Sequence, residues 1–312
     1  MKIIIIGSEG FIGSSCVRHF LRNKANDIVC CDLLDEEFIS GSRPEGIDYI
    51  RLKGKVTDTS NMFENVFGDA IRYDVCINAA GSADVQRSFV QPDKDFEMNV
   101  LLIHRLLEAI RKHQPKCKLV NFSSAAVYGN AKELPISEDS PLEPCSPYGG
   151  HKRISELMLS NYSRMFKIGT CSLRVFSAYG PGQKKLLFWD IYQKSKQDSK
   201  IRLYGTGDES RDYIYIDDLC SAIEIVISKA EFCGEAINVA TGKESRIREV
   251  AQNFVRLLPD KHEVVFSSEK RVGDPSRWKA DISKLKSMGF SPSYDMDKGL
   301  GLYARWLEKE KA

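Results

Sequence analysis

Ile3-Ile4-Ile5-Ile6-Gly7-Ser8-Glu9-Gly10-Phe11-Ile12-Gly13, near the start of the chain, decides how the rest is read. Four consecutive isoleucines suit a strand buried on both faces, and the three glycines that follow suit a tight turn into a helix. Gly7 lets the chain reverse, Gly10 lets backbone approach a pyrophosphate with no Cβ in between, and Gly13 lets the helix pack closely on the strand. Phe11 and Ile12 start that helix, whose free N–H groups face an anion. The stretch therefore predicts a dinucleotide site.

Working outward, a second apolar run ends at Asp32, where a carboxylate can accept from the adenosine ribose hydroxyls and would repel a 2′-phosphate. This favours NAD over NADP. Asp58 follows another expected strand and suits the adenine amino group or a helix N-cap. Asn78-Ala79-Ala80-Gly81 ends a further strand in small residues, as needed where backbone lies against a cofactor. Asn99 is placed to anchor backbone near the same site.

Strands are expected over 3–6, 28–31, 75–78, 119–122 and 171–175, separated by helices over 12–23, 100–112 and 152–166. That alternation calls for right-handed crossovers and a parallel sheet covered on both faces, an α/β doubly wound fold of Rossmann type. Residues 1–176 are read as the NAD-binding domain. Beyond 177 the rhythm breaks into shorter elements, a smaller C-terminal α/β substrate-binding cap over 177–312. Segments within about 210–243 are expected to return to the first domain, with 214–216 and 236–239 as added strands.

Tyr148 and Lys152 stand four residues apart, so on a helix both face one pocket. A neighbouring ammonium and a cationic nicotinamide would favour the Tyr148 phenolate, drawing its pKa down and making it a base toward a sugar hydroxyl. Ser124, after an expected strand, places a hydroxyl where such a sheet opens its ligand crevice, ready to share that proton. A serine hydrolase is disfavoured: G-x-S-x-G is missing, and His151 would face away from Tyr148 and Lys152. The five histidines lack metal-ligand spacing, so no metal is expected.

Bulk properties narrow the partners. A net charge of +2, with 28% charged and 42% hydrophobic residues, gives no basic excess for nucleic acid. No apolar run reaches the roughly 18–20 residues of a membrane span. Nine cysteines without a C-x-x-C pair read as reduced, buried hydrophobes in a cytoplasmic protein.

The ordered set of Gly7/Gly10/Gly13, Asp32, Asp58, Asn78-Ala79-Ala80, Ser123-Ser124 to Tyr128-Gly129 and Ser146-Pro147-Tyr148 to Lys152 resembles the extended short-chain dehydrogenase/reductase family. Leu173-Arg174-Val175-Phe176-Ser177-Ala178-Tyr179-Gly180-Pro181, Arg211-Asp212-Tyr213, Asn238 to Gly242 and Arg271-Val272-Gly273-Asp274-Pro275 continue the likeness across nearly the whole chain. Within the family it is similar to the nucleotide-sugar epimerases and dehydratases. The resemblance implies that Arg211 and Arg271 grip a sugar-nucleotide diphosphate, that Asp274 meets the nucleoside ribose, and that Ser82 and Ser177 line the sugar pocket. It also implies a homodimer paired through the helices over 100–112 and 152–166.

Three departures shape the expected activity. Ala125 and Ala126 occupy the places where the dehydratases carry an acidic pair, which disfavours elimination. Ser177 replaces the family's Asn, and residues 183–190 differ from the commonest epimerase pattern. The expected function is a UDP-sugar 4-epimerase acting on a hexose, an N-acetylhexosamine or a uronate through a 4-keto sugar. The alternatives are a 4-keto-sugar reductase using NAD(P)H and, behind it, a 4,6-dehydratase; a non-catalytic binding protein is disfavoured by the complete Ser124, Tyr148 and Lys152 set.

Overall fold

The computed structural model describes residues 1–33, 47–52, 57 and 62–310. In chain order its strands are β1 (Lys2–Ile6), β2 (Asp27–Asp32), β3 (Asp48–Arg51), β4 (Val75–Asn78), β5 (Lys118–Ser124), β6 (Thr170–Val175), β7 (Ser177–Tyr179), β8 (Lys200–Leu203), β9 (Ser210–Tyr215), β10 (Cys233–Val239), β11 (Glu244–Arg246) and β12 (Glu263–Phe266). The first helices are α1 (Phe11–Phe20), α2 (Glu64–Gly68), α3 (Val85–Val90), α4 (Pro92–Phe96), α5 (Leu102–His113) and α6 (Pro147–Phe166). Then come α7 (Leu186–Ser195), α8 (Ile216–Lys229), α9 (Ile247–Val255), α10 (Ser283–Ser287) and α11 (Met296–Lys309).

Among the described residues, seven strands form one parallel sheet in the order β3-β2-β1-β4-β5-β6-β10. The strand order reverses beside β1, and the glycine turn leaves β1 at that switch point, where open α/β sheets bind ligands. Side chains alternate across the sheet. Ile3, Ile5, Val75, Ile77, Val120 and Phe122 share one core with Val17 and Phe20 of α1 and Ile223 and Val226 of α8. Ile4, Ile6, Val29, Cys76 and Leu119 share the other with Leu102, Leu106 and Ile110 of α5 and Leu159 of α6. Because neither face meets water, β1 must be apolar at every position, and its four isoleucines have no exposed surface.

The five expected strands and three expected helices all form, with shifted ends. The helix expected from residue 100 begins with a π-helical turn, Glu97–Leu101, and α6 begins at Pro147, so that Tyr148 lies inside it. Of the two segments expected to return to the sheet, residues 236–239 do so in β10, beside β6. Residues 214–216 do not. Tyr213–Tyr215 instead pairs in parallel with β7, and β9 pairs antiparallel with β11 in a three-stranded sheet. The cause is local: the chain leaves β6 at Phe176 and immediately offers β7 as a free edge, and Tyr179 packs edge-on against both Tyr213 and Tyr215.

A third core joins the turn after β5 to the distal chain through Tyr128, Tyr148, Phe176, Trp278 and Ile282. The cysteines are unpaired, and seven are buried as expected; Cys233 is exposed and Cys145 half-buried. No helix among the described residues is long and apolar enough to cross a membrane.

Candidate active site

The glycine turn is built by contact. Gly7 has φ +78°, and a Cβ there would lie 2.5 Å from the Ala80 nitrogen and 2.8 Å from the Ala79 carbonyl carbon. A Cβ at Gly13 would lie 2.0 Å from the Gly7 oxygen, a distance no side chain tolerates. Gly10 is the N-cap of α1 with extended backbone and no side chain to spend on capping, so the N–H groups of the first turn, from Phe11 and Ile12, stay open to an anion. Asp32 ends β2 and accepts from the Glu9 N–H at 2.8 Å and from the Leu33 N–H at 2.7 Å. It thus fastens the glycine turn, a role the sequence alone does not disclose. Asp58 lies outside the described residues.

At the end of β4, Gly81 adopts φ +148°, and a Cβ there would sit 2.9 Å from the Asn99 amide oxygen and 3.5 Å from Lys152 Nζ. Asn99 lies in the π-helical turn, is 1% exposed, and neither amide atom has a hydrogen-bond partner among the described residues. Its carbonyl accepts from the Ser155 hydroxyl of α6. The Ser8 hydroxyl is likewise buried without a partner among the described residues. A narrow backbone cradle with unsatisfied polar groups beside it fits a bound dinucleotide, whose own polar atoms can complete those bonds.

Ser124, Tyr148 and Lys152 meet at the ends of β5 and α6. Ser146 caps α6 by accepting from the Gly149 N–H at 3.1 Å, with Pro147 in the first turn, so the helix starts one residue before Tyr148. The Tyr148 N–H donates to the Ser88 hydroxyl of α3 at 3.2 Å. Lys152 donates from Nζ to the Phe122 carbonyl at 2.8 Å and lies 5.8 Å from the centre of the Tyr148 ring. Ser124 accepts from the Ala126 N–H at 3.1 Å.

The electrostatics differ from the sequence expectation. Burial pushes the Tyr148 phenol up to about 12; the Ser124 hydroxyl, which favours the phenolate, opposes this, and the Asp95 charge adds to it. Burial pulls the Lys152 ammonium down to about 8, against the charges of Asp95 and Glu156. The protein's own groups therefore do not produce a lowered tyrosine. Desolvation of the enclosed phenol outweighs the hydroxyl beside it.

Across the crevice, Arg211 lies over the Trp278 ring at 5.3 Å and donates to the Ser210 carbonyl, while Arg271 lies 4.1 Å from the centre of the Tyr204 ring. Burial raises the Asp274 carboxyl above its ordinary value, and the guanidinium charges of Arg211 and Arg271 oppose this. Gln86 of α3 donates to the Val272 carbonyl at 2.9 Å, tying this loop to the catalytic side. Ser82 follows Gly81 and Ser177 begins β7, both half-buried.

Two groups escaped the sequence reading. Glu156 takes a buried fork from Arg174 at 2.8–3.2 Å, and Arg174 also donates to the Tyr128 hydroxyl at 2.8 Å, which donates to Asn238. Arg174 and Tyr128 belong to quoted motifs, and Glu156 stands one further helical turn beyond Lys152, which was the available signal. His151 has a buried partner, Asp95, at 2.7 Å.

This geometry defines a class: a dinucleotide-dependent enzyme with a tyrosine, a lysine and a serine at the switch point of a doubly wound sheet. The sequence matches the model of the NAD dependent epimerase/dehydratase family over residues 3–240. The chain belongs to that family of extended short-chain dehydrogenase/reductase enzymes and uses NAD. It is 28% identical over 318 residues to a putative UDP-glucose 4-epimerase of Methanocaldococcus jannaschii, covering 98% of each chain. It is 26% identical over 320 residues to a dTDP-glucose 4,6-dehydratase of Streptomyces antibioticus, covering all of this chain and 94% of that one. The UDP-glucuronic acid 4-epimerase of Bacillus cereus, solved with UDP-glucuronic acid and NAD, superposes with a TM-score of 0.86 at 26% identity, over 99% of this chain and 100% of that one.

Proposed function

We propose that the protein is a nucleotide-sugar 4-epimerase, acting on a UDP-linked hexose, N-acetylhexosamine or uronate through a transient 4-keto sugar. The observation that carries this over dehydration is the turn after Ser124. Ala125 and Ala126 are almost wholly buried there and supply no acid or base for removing water from the sugar.

Bound NAD would supply the acceptor and donor for a hydride of a sugar carbon. The chain's own residues do the rest. Gly7, Gly10, Phe11, Ile12 and Gly13 would cradle its pyrophosphate and Asp32 its adenosine, while Ala79, Ala80 and Asn99 would border the nicotinamide end; Asp58, also expected at the adenosine, lies outside the described residues. Lys152 holds the nicotinamide ribose and brings a positive charge to Tyr148. A cationic ring beside that phenol would supply the pKa lowering that the protein alone does not. Tyr148 then accepts the C4 hydroxyl proton, and Ser124 hydrogen-bonds the same oxygen. Arg211 and Arg271 clamp the diphosphate while Asp274 takes the nucleoside ribose, and Ser82 and Ser177 border the sugar. Holding the nucleotide end fast while the keto sugar turns over lets hydride return to either face.

The active unit is proposed to be a homodimer joined along α5 and α6. The support is a stripe on α6, where Ile154, Leu157 and Met165 are 42%, 62% and 61% exposed at helical spacing.

The test is incubation with a panel of UDP-, dTDP- and GDP-sugars without added reductant, read by NMR and mass. Interconversion of C4 epimers at unchanged mass is expected, with Tyr148→Phe slower by roughly 100- to 10,000-fold. Loss of water from the sugar, net consumption of NADH with a keto sugar, or full activity in Tyr148→Phe would each overturn the reading.

A further inference from the structure

Asp95 lies on α4, outside the Ser124, Tyr148 and Lys152 set, and is 3% exposed. One of its oxygens accepts from the His151 ring N–H at 2.7 Å; the other is buried and has no hydrogen-bond partner among the described residues. A half-satisfied buried carboxylate is costly and is retained where its charge is used. His151 precedes Lys152 in α6, and the Phe96 ring stands edge-on to the imidazole at 5.4 Å, closing the pair from one side. α4 packs directly on α6, and the Asp95 charge reaches both Lys152 and Tyr148.

Lys152 has a second carboxylate on its own helix, Glu156, one turn on. That charge is already matched by the fork from Arg174 of β6. On the other packed elements, β5 and the turn after it present Ser123, Ser124 and alanines, and Arg87 of α3 is bound to Gln91. The π-helical turn brings Asn99, beside half-buried Glu97, and α5 begins with Leu102 and Ile103, followed by His104 and Arg105. Asp95 is a carboxylate acting on Lys152 that, among the described residues, pairs with a histidine rather than with an arginine or lysine.

We propose that Asp95, fixed in place by His151, is a positioning residue that supplies the counter-charge keeping the buried Lys152 ammonium protonated and directed at the dinucleotide. A buried ammonium loses its proton readily unless an anion stands close, and a neutral Lys152 would neither donate a full set of bonds to a ribose nor stabilise a phenolate. His151 contributes by geometry: its N–H holds one oxygen of the carboxylate and leaves the other, buried one unshared.

The proposal rests on the reading of Lys152 as ribose holder, but its test does not. The Lys152 signal is followed by NMR of ε-carbon-labelled lysine in the full chain, identified by its loss in Lys152→Met, and titrated from neutral to alkaline pH. Asp95→Asn, near in volume and still able to accept from His151, should lower the midpoint from about 8 by about one unit or more, a tenfold change in acid dissociation. Asp95→Glu should recover part of that shift, and His151→Gln, which keeps a donor, should move it less than Asp95→Asn. In turnover, the alkaline limb of the kcat profile should move down in parallel while KM for the sugar nucleotide changes little. An unmoved midpoint in folded Asp95→Asn overturns the proposal. Should that variant not fold, Asp95→Ser is titrated in its place with the same two outcomes. A shifted midpoint with no epimerase activity on any sugar would sink the proposed function and leave this inference standing.

Discussion

Lys152 carries its burial as a cost that varies with pH. Its folded pKa, about 8, lies below the ordinary lysine value near 10.5, so between these values the unfolded chain holds a proton that the folded chain has released. Stability contributed by this group therefore rises as pH climbs from about 8 to about 10, and its penalty is fully present below the folded value. Urea unfolding across that window should show a positive slope that Lys152→Met flattens; an identical slope in the variant would place the charge in water. Tyr148 has the opposite sign, since burial raises its phenol to about 12 and its contribution falls only above the ordinary tyrosine range. Their chain spacing made Tyr148 and Lys152 legible in the sequence, because four residues on a helix fix a shared face whatever surrounds them. Their charges were not legible, because desolvation is a property of the completed fold.

At the scale of elements, α6 runs Tyr148, Lys152 and Glu156 along one face, and the third member works below the crevice. Arg174 arrives from β6, where the register sets it opposite Ser123 of β5, and it locks Glu156, Tyr128 and the Glu138 carbonyl into one buried network. Removing one charge of such a pair strands the other, so Glu156→Gln should cost about 3–5 kcal/mol in chemical denaturation; a loss below about 1 kcal/mol would mean that water or Tyr128 replaces it. Elements themselves were well marked, since unbroken apolar runs and glycine turns decide strand and helix from within. Their cross-contacts were not: His151 and Asp95 lie 56 residues apart, and β9 joins β7 rather than the main sheet because an edge became free.

For the whole molecule, the apolar stripe of α6 gives a direct test of assembly. Leu157→Glu places a charge in the middle of that stripe and should convert a dimer to monomers in sedimentation while leaving the unfolding transition within about 0.5 kcal/mol. A wild-type chain that sediments as a monomer would remove the pairing. The coarse plan of a parallel sheet, with 236–239 returning as the strand that closes it, could be read from the rhythm of the sequence, whereas the pairing of 214–215 with β7 could be placed only by the fold itself.

That closing strand has a consequence during synthesis. β10 is made after the distal β7, β8 and β9, yet it covers the outer edge of β6 in the main sheet. While residues 176–232 leave the ribosome, β6 must wait with its outward backbone donors and acceptors unclaimed, the kind of edge that recruits strands from other chains. The nascent protein is thus most exposed to aggregation just before its sheet is complete, and a premature stop anywhere in that interval leaves the vulnerable edge open for good.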